Sequence, residues 1–281
     1  MISLKAHAKI NLSLDVLSRR DDGYHTLQMI MQTIQLHDTI TLEKIPSGVE
    51  IICEAPYVPD NSSNIAYKAA EAMLQQYNIQ AGVKIEITKK IPVAAGLAGG
   101  STDAAAVLKG INMLFELGIE PAEMMRLGKT IGADVPYCIM GGTALAEGIG
   151  EILTSLPPAG NIPLLLVKPR IGVSTAWVYK SLEVKKITGK PDTKLLMSAI
   201  SAGDISTLAL NMKNVLESVT CKRFPVIENI KKDLIRHGAL GSMMSGSGPT
   251  VFGIFEDVEK AEYAFDKLKN SKHECILTHT V

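Results

Sequence analysis

Apolar and polar residues alternate strictly from position 10 to position 16. Ile10, Leu12, Leu14 and Val16 fall on one face, and Asn11, Ser13 and Asp15 on the other. A period of two marks a strand, and a single apolar face predicts one half-buried against a core. Asp21-Asp22-Gly23 is a turn signal. Residues 25–36 and 38–45 then read as two further strands, and Val49–Cys53 as a short one. The polar run Pro59–Ser63 leads into NIAYKAAEAMLQQY, where a Ser or Asn cap precedes alanine-rich sequence of helical period. Val83, Ile85 and Ile87 alternate again as a strand. A Gly/Ala-rich loop follows, then a helix from Ser101 to Leu117 and another from Pro121 to Ile131 with Pro in its first turn.

Gly141-Gly142 opens a strand running to Glu147, and Ile162–Val167 is an apolar strand. Helical stretches are predicted near 174–183, 192–201, 204–219 and 225–237. A strand at Thr250–Phe255, a helix at 257–270 and the strand ECILTH complete the pattern. Strands first and mixed elements afterwards favour an α+β protein of two layers over regular βαβ winding. Leu156-Pro157-Pro158-Ala159-Gly160 has the composition of a linker. It places a boundary near 150–160 and divides the chain into residues 1–155 and 156–281.

Charge narrows the function. Lys+Arg and Asp+Glu each number 29, so the formal net charge is zero. Proteins that live on nucleic acid or on an anionic membrane need surplus cations, so neither partner is expected. Polar residues or glycines interrupt every apolar stretch well short of 18, so no segment is expected to span a bilayer. The start, MISLKAHAKINLSLDV, lacks an apolar h-region and does not read as a signal peptide. Cys53, Cys138, Cys221 and Cys275 form no C-x-x-C pair, which fits reduced thiols in a cytoplasmic protein. No His/Asp/Glu cluster has metal-ligand spacing, so no protein-built metal cage is expected.

The segment most suggestive of chemistry is Pro92-Val93-Ala94-Ala95-Gly96-Leu97-Ala98-Gly99-Gly100-Ser101-Thr102. It follows a strand and precedes a helix. Its small residues let backbone N–H groups approach a ligand, and the helix behind adds orphan N–H groups and about half a positive charge. That combination is an anion cradle suited to phosphates, with Ser101 and Thr102 offering hydroxyls. A tight turn packed with small residues is the bland alternative. It is not a Walker loop, since Glu123 stands where the glycine five positions before Gly128 is required, and G-x-G-x-x-G does not occur. A second glycine cluster, Gly241–Pro249, is a turn by itself and, paired with the first, the other side of a phosphate site. Ser247 lacks the G-x-S-x-G frame of a hydrolase nucleophile. Lys9 begins the alternating strand, Asp134 follows Gly132-Ala133 in a small apolar setting, and Tyr24-His25 follows the turn. Each of these, taken singly, reads more readily as structural than as functional.

In order, Lys9-Ile10-Asn11-Leu12, Pro92–Ser101 and Ser245-Gly246-Ser247-Gly248-Pro249 resemble the three motifs of the GHMP kinase superfamily, ATP-dependent kinases of small molecules. The Gly-Glu-His usual in galactokinases and mevalonate kinases is absent. Ala8–Val16, Arg20–Leu27, Gly132–Pro136 and Gly141–Ala144 are similar to the branch that phosphorylates the 2-hydroxyl, a tertiary alcohol, of a cytidine-diphosphate-linked methylerythritol in non-mevalonate isoprenoid biosynthesis. The resemblance implies a two-domain α+β fold of mixed and antiparallel sheets, with helices packed on them and the active site in the inter-domain cleft. It implies ATP and Mg²⁺, with Lys9 and Asp134 catalytic and Pro92–Thr102 as the ATP loop. Asn64, Ile65 and Lys89 are weaker candidates for the adenosine side. Asn11, Tyr24 and His25 are implied as substrate contacts, with Thr175 and Tyr179 as the second wall of a cytosine pocket. The loop carries Ala94, Ala95 and Ala98 where glycine is commoner, so left-handed or close-approach duties are expected of Gly96, Gly99 and Gly100. The rival readings are a kinase of mevalonate or homoserine and a non-catalytic nucleotide sensor, the latter opposed by retention of Lys9 and Asp134. A monomer and a dimer are equally allowed.

Overall fold

A computed structural model describes residues 1–281. The chain gathers into two compact units. One comprises residues 1–8, 36–93 and 98–141; the other comprises 9–35, 94–97 and 142–281. No single cut in the sequence yields this division, because strands β1 (Ile2–Arg19) and β2 (His25–Ile45) each contribute residues to both. The linker-like segment at 156–160 lies inside the second unit.

In the first unit, residues 39–45 of β2 pair antiparallel with β4 (Gly82–Thr88), which pairs parallel with β3 (Val49–Ile52). Against them pack α1 (Ile65–Gln76), α2 (Gly99–Leu114), α3 (Pro121–Ile131) and α4 (Val135–Met140). Asn64 caps α1, its side chain accepting from Ala66 N–H and donating to the Pro59 carbonyl. The core joins Ile40, Leu42, Val83 and Ile85 to Ala66, Ala69, Ala70 and Met73 of α1 and to Ala104–Leu108 and Ile111 of α2. Alanines on both helices let the two backbones approach closely. Gly110 carries this to its limit, since a Cβ there would stand 2.3 Å from Leu42 Cδ1 and 3.0 Å from Leu4 Cδ1.

In the second unit, residues 27–32 of β2 pair antiparallel with β5 (Thr143–Gly148), which continues to β6 (Ile152–Ser155). A four-stranded antiparallel sheet has the order β10 (Glu274–His279), β7 (Pro163–Lys168), β9 (Val251–Ile254), β8 (Gly241–Met244). Residues 163–167 of β7 are a buried apolar run because the strand is interior to this sheet and covered on both faces. Helices α5 (Thr175–Ser181), α6 (Thr193–Ala202), α7 (Ile205–Asn211), α8 (Glu217–Arg223), α9 (Pro225–Arg236) and α10 (Val258–Leu268) complete the unit. Asp192, Asp204 and Asp257 cap α6, α7 and α10 with their carboxylates. All four cysteines are free thiols, and no helix is long and apolar enough to cross a membrane.

Three expectations are corrected. The alternating strand is not half-buried: Asn11 and Ser13 are fully enclosed and Asp15 nearly so, because the polar face is covered as well. Residues 25–36 and 38–45 form one strand, continuous through His37, as the chain passes from one unit into the other. The 204–219 stretch is two helices. Its middle is pulled into an extended bridge with β1, Leu14 N–H donating to the Lys213 carbonyl and Val215 N–H to that of Leu14. The short elements α4 and β6 lay below what periodicity detects. Gly110→Ala should destabilise the protein by about 1–3 kcal/mol, since the added methyl overpacks a closed core; urea unfolding of the variant measures it.

Candidate functional site

The turn into α2 is built by backbone geometry that side chains rarely adopt. Ala94 (φ 51°), Gly96 (φ 76°) and Ala98 (φ 58°) are all left-handed. Gly96 thus takes a left-handed duty as expected, but Ala94 and Ala98 share it, while Gly99 and Gly100 serve the close approach. Those glycines are the first two residues of the helix. They are needed for closeness: a Cβ on Gly99 would lie 3.2 Å from Ile91 Cγ2, and one on Gly100 would lie 3.2 Å from Ile65 Cδ1. Ala98 offers no side-chain cap, and the first intrahelical bond runs from Thr102 N–H to the Ala98 carbonyl. The N–H groups of the first turn therefore have no partner within the helix.

Within the first unit, the Thr102 hydroxyl donates to the His7 carbonyl. Ser101 Oγ forms no hydrogen bond within the protein and lies 3.9 Å from where a Cβ on Gly132 would stand. The α3–α4 connection, Gly132-Ala133-Asp134, therefore runs beside the first turn of α2. Asp134 is half-buried at the N-terminus of α4, and its carboxylate does not cap that helix. Asn64 serves as the α1 cap and Ile65 packs under Gly100. Lys89 is bound to two carboxylates, Asp38 and Asp103. Pro92 is half-buried and Val93 exposed.

Within the second unit, Lys9 is buried. Its Nζ donates to Asn11 Oδ1 at 2.8 Å and its backbone N–H to the Leu97 carbonyl at 3.2 Å. Asn11 Nδ2 approaches Met29 Sδ at 3.5 Å. The second glycine cluster meets Ala95 and Gly96 here. Ser245 Oγ donates to the Gly96 carbonyl at 2.9 Å, and Thr250 N–H donates to that of Ala95. A Cβ on Gly96 would overlap the Ser245 carbonyl at 2.3 Å. So the two glycine-rich segments touch within this unit. Asn214 holds the second one, donating to both the Met244 and Gly246 carbonyls. Nothing in the sequence around Asn214 signals this role, because its partners lie some 30 residues on.

The substrate candidates of this unit come together in part. The His25 and Tyr179 rings lie 5.4 Å apart at 32°, and the Thr175 hydroxyl shares a 2.7 Å hydrogen bond with that of Ser247. Tyr24 projects from the turn, 60% exposed. Burial, and after it the Arg19 charge, holds the His25 imidazole below its ordinary range. It is therefore neutral at pH 7, able to donate at one nitrogen and accept at the other.

The chain is similar to known proteins along its length. Residues 64–142 match the GHMP kinases N terminal domain, and residues 196–274 match GHMP kinases C terminal. A protein of Acetivibrio thermocellus named 4-diphosphocytidyl-2-C-methyl-D-erythritol kinase is 59% identical over 280 residues, covering 100% of this chain and 99% of that one. A protein of the same name from Clostridium botulinum is 52% identical, covering 100% of both chains. A crystal structure of 4-(cytidine 5'-diphospho)-2C-methyl-D-erythritol kinase superposes with a TM-score of 0.86 at 31% identity, covering 99% of each chain. Homoserine kinase from Cytophaga hutchinsonii, at 21% identity and a TM-score of 0.75 over 99% of this chain and 94% of its own, shares the fold.

Two outcomes test this geometry. Ala98→Gly should stabilise the protein by about 0.5–1 kcal/mol, because relief of left-handed strain outweighs the added freedom of the unfolded chain. Asn214→Ala should destabilise it by about 2–4 kcal/mol, since two buried carbonyls lose their donor. Thermal and urea unfolding read both.

Proposed function

The chain belongs to the 4-diphosphocytidyl-2-C-methyl-D-erythritol kinase family of GHMP kinases, and on that ground we propose that it transfers the γ-phosphate of ATP to the 2-hydroxyl of that cytidine-linked erythritol. It is a phosphotransferase with an alcohol as acceptor, serving the non-mevalonate route to isoprenoids. The observation that carries the assignment to this substrate is the identity of 59% along the whole chain with a relative of that name.

Phosphoryl transfer has a loose transition state, so catalysis consists mainly of positioning and charge neutralisation. The first turn of α2 offers N–H groups and the positive end of its dipole to the ATP phosphates. Asp134 accepts the proton of the 2-hydroxyl. Its freedom from capping and its place in the connection beside Ser101 support that role. Lys9 stabilises the negative charge that develops on the attacking oxygen. Its hydrogen bond to Asn11 fixes the ammonium on β1. No group of three His, Cys, Asp or Glu side chains is arranged to hold a metal ion. Mg²⁺ is therefore assigned to the shell of ATP, where it neutralises phosphate charge when bound. The unpartnered Ser101 hydroxyl and the Asp134 carboxylate are the hard oxygen donors of this chain that suit it.

Cytosine is the specificity determinant in this reading. Aromatic faces at Tyr24 and Tyr179 supply stacking, and the neutral His25 imidazole supplies a hydrogen bond to the polar edge of the base. Thr175 lines the same wall through its bond to Ser247. The family membership favours this substrate over mevalonate and homoserine.

A panel of acceptor alcohols with ATP and Mg²⁺, read as ADP release, tests the assignment; preference for mevalonate or homoserine would overturn it. Asp134→Asn is expected to lose roughly 10²–10⁴ in turnover, the contribution of a positioned base, with the circular dichroism of the wild type. Lys9→Ala should fall comparably, and a folded variant with full turnover would remove either residue from its role. Tyr24→Ala should raise KM for the cytidine substrate far more than KM for ATP. Acidification tests His25. Its depressed range means that the free imidazole resists protonation until the pH falls below 6.5, after which KM for the cytidine substrate should rise while that for ATP does not.

A further inference from the structure

A buried charge cluster in the first unit is left over by these roles. Lys89, at the end of β4, places its Nζ 2.5 Å from Asp38 Oδ2 and 2.7 Å from Asp103 Oδ2. Asp38, on β2, is wholly enclosed. Its other oxygen accepts the backbone N–H groups of Lys90 at 2.5 Å and Ile91 at 2.8 Å. Those are the two residues that lead into Pro92. Asp103 sits in the second turn of α2, and its Oδ1 is buried with no partner. One cluster therefore fastens β2, the end of β4 and the start of α2 together.

The ammonium at its centre is oddly placed for a merely structural ion pair. A Cβ on Gly99, the first residue of α2, would lie 3.3 Å from Lys89 Nζ. A cation at a helix N-terminus opposes the helix's own dipole, yet it strengthens the field that the same turn presents to an anion. Burial opposes the charge as well. The two carboxylates outweigh that burial and keep the Lys89 ammonium above its usual range.

Resting on the reading of this chain as an ATP-dependent kinase, we propose that Asp38 and Asp103 are positioning residues for ATP, holding the Lys89 ammonium beneath the first turn of α2 and fixing the chain that leads into the phosphate loop. Lys89 then acts from below the turn, as a fixed positive charge, rather than as a contact on the adenosine. Charge balance completes the arrangement. Asp38 takes three donors. Asp103 takes one, and burial pushes its carboxyl up to about 8 against the pull of Lys89. The charged groups facing it are Lys89 from the end of β4 and Asp38 from β2. At neutral pH the proton stays on Asp103. As the pH rises past this range the cluster gains a negative charge beneath the phosphate site.

The test compares wild type, Asp38→Asn, Lys89→Met, their double variant and Asp103→Asn, with ATP and the cytidine substrate titrated separately and ATP binding measured by calorimetry. Asp38→Asn should raise KM and Kd for ATP about tenfold, the equivalent of a charge-assisted hydrogen bond, and leave KM for the cytidine substrate unchanged. The double variant should be no worse than the poorer single. Wild-type KM for ATP should rise above pH 8, and Asp103→Asn should flatten that rise, a readout that remains if Asp38→Asn fails to fold. A folded Asp38→Asn that binds ATP as the wild type does, equal losses for both substrates, or an alkaline limb untouched by Asp103→Asn would each overturn the proposal. Wild-type protein that binds ATP without phosphorylating the cytidine substrate would instead overturn the kinase reading, and the binding arm would still judge the cluster.

Discussion

An α-helix begins with N–H groups that nothing within the helix can satisfy, and the start of α2 leaves them unsatisfied by its neighbours' side chains as well. Ala98 precedes the helix in a left-handed conformation and brings no capping oxygen. Keeping that turn open dictates the composition around it. Glycine at 99 and 100 allows Ile91 and Ile65 to pack directly beneath the backbone. The carbonyls of Ala95 and Gly96 are occupied by Thr250 and Ser245, so these acceptor atoms of the loop are already engaged. Strain at Ala94 and Ala98 is the cost of reversing the chain in so few residues.

The second constraint is desolvation. β1 carries Lys9, Asn11, Ser13 and Asp15 on one face, and the fold encloses all of them. Burial of polar groups is tolerated only when they are hydrogen-bonded. Lys9 finds Asn11, the Ser13 hydroxyl accepts from Ile30 N–H, and Asp15 is approached by Lys190 at 3.3 Å. An ammonium held in this way is fixed in place, and an enclosed charge of that kind acts on its surroundings with little reorganisation. The same logic governs Lys89, whose charge survives burial because the acidic side chains of Asp38 and Asp103 accept its hydrogen bonds from two sides.

Much of this was legible along the chain, and the reasons differ from element to element. The α1 cap at Asn64, the α3 span and the final strand follow from periods and end signals that are local. Other features depended on partners far off. The helix expected at 204–219 breaks because Leu14 takes the backbone of residues 213–215. No helical propensity reports a strand nearly 200 residues away. The polar face of β1 looks solvent-facing by pattern and is not, since its cover comes from other elements.

The sequence by itself determined the family, the order of the elements and the residue types available for phosphate, proton and base, because those rest on spacing and composition within short windows. The tertiary structure decided which of them are at liberty to act. It bonded Thr102 to the His7 carbonyl and set Asn64 to capping, left the Ser101 hydroxyl and the Asp134 carboxylate uncommitted by such bonds, and gathered Lys89, Asp38 and Asp103 from three elements into one buried cluster. The physical reason is that a polar atom's availability depends on whether another group already satisfies it, and those partners are assigned only when distant segments are packed together.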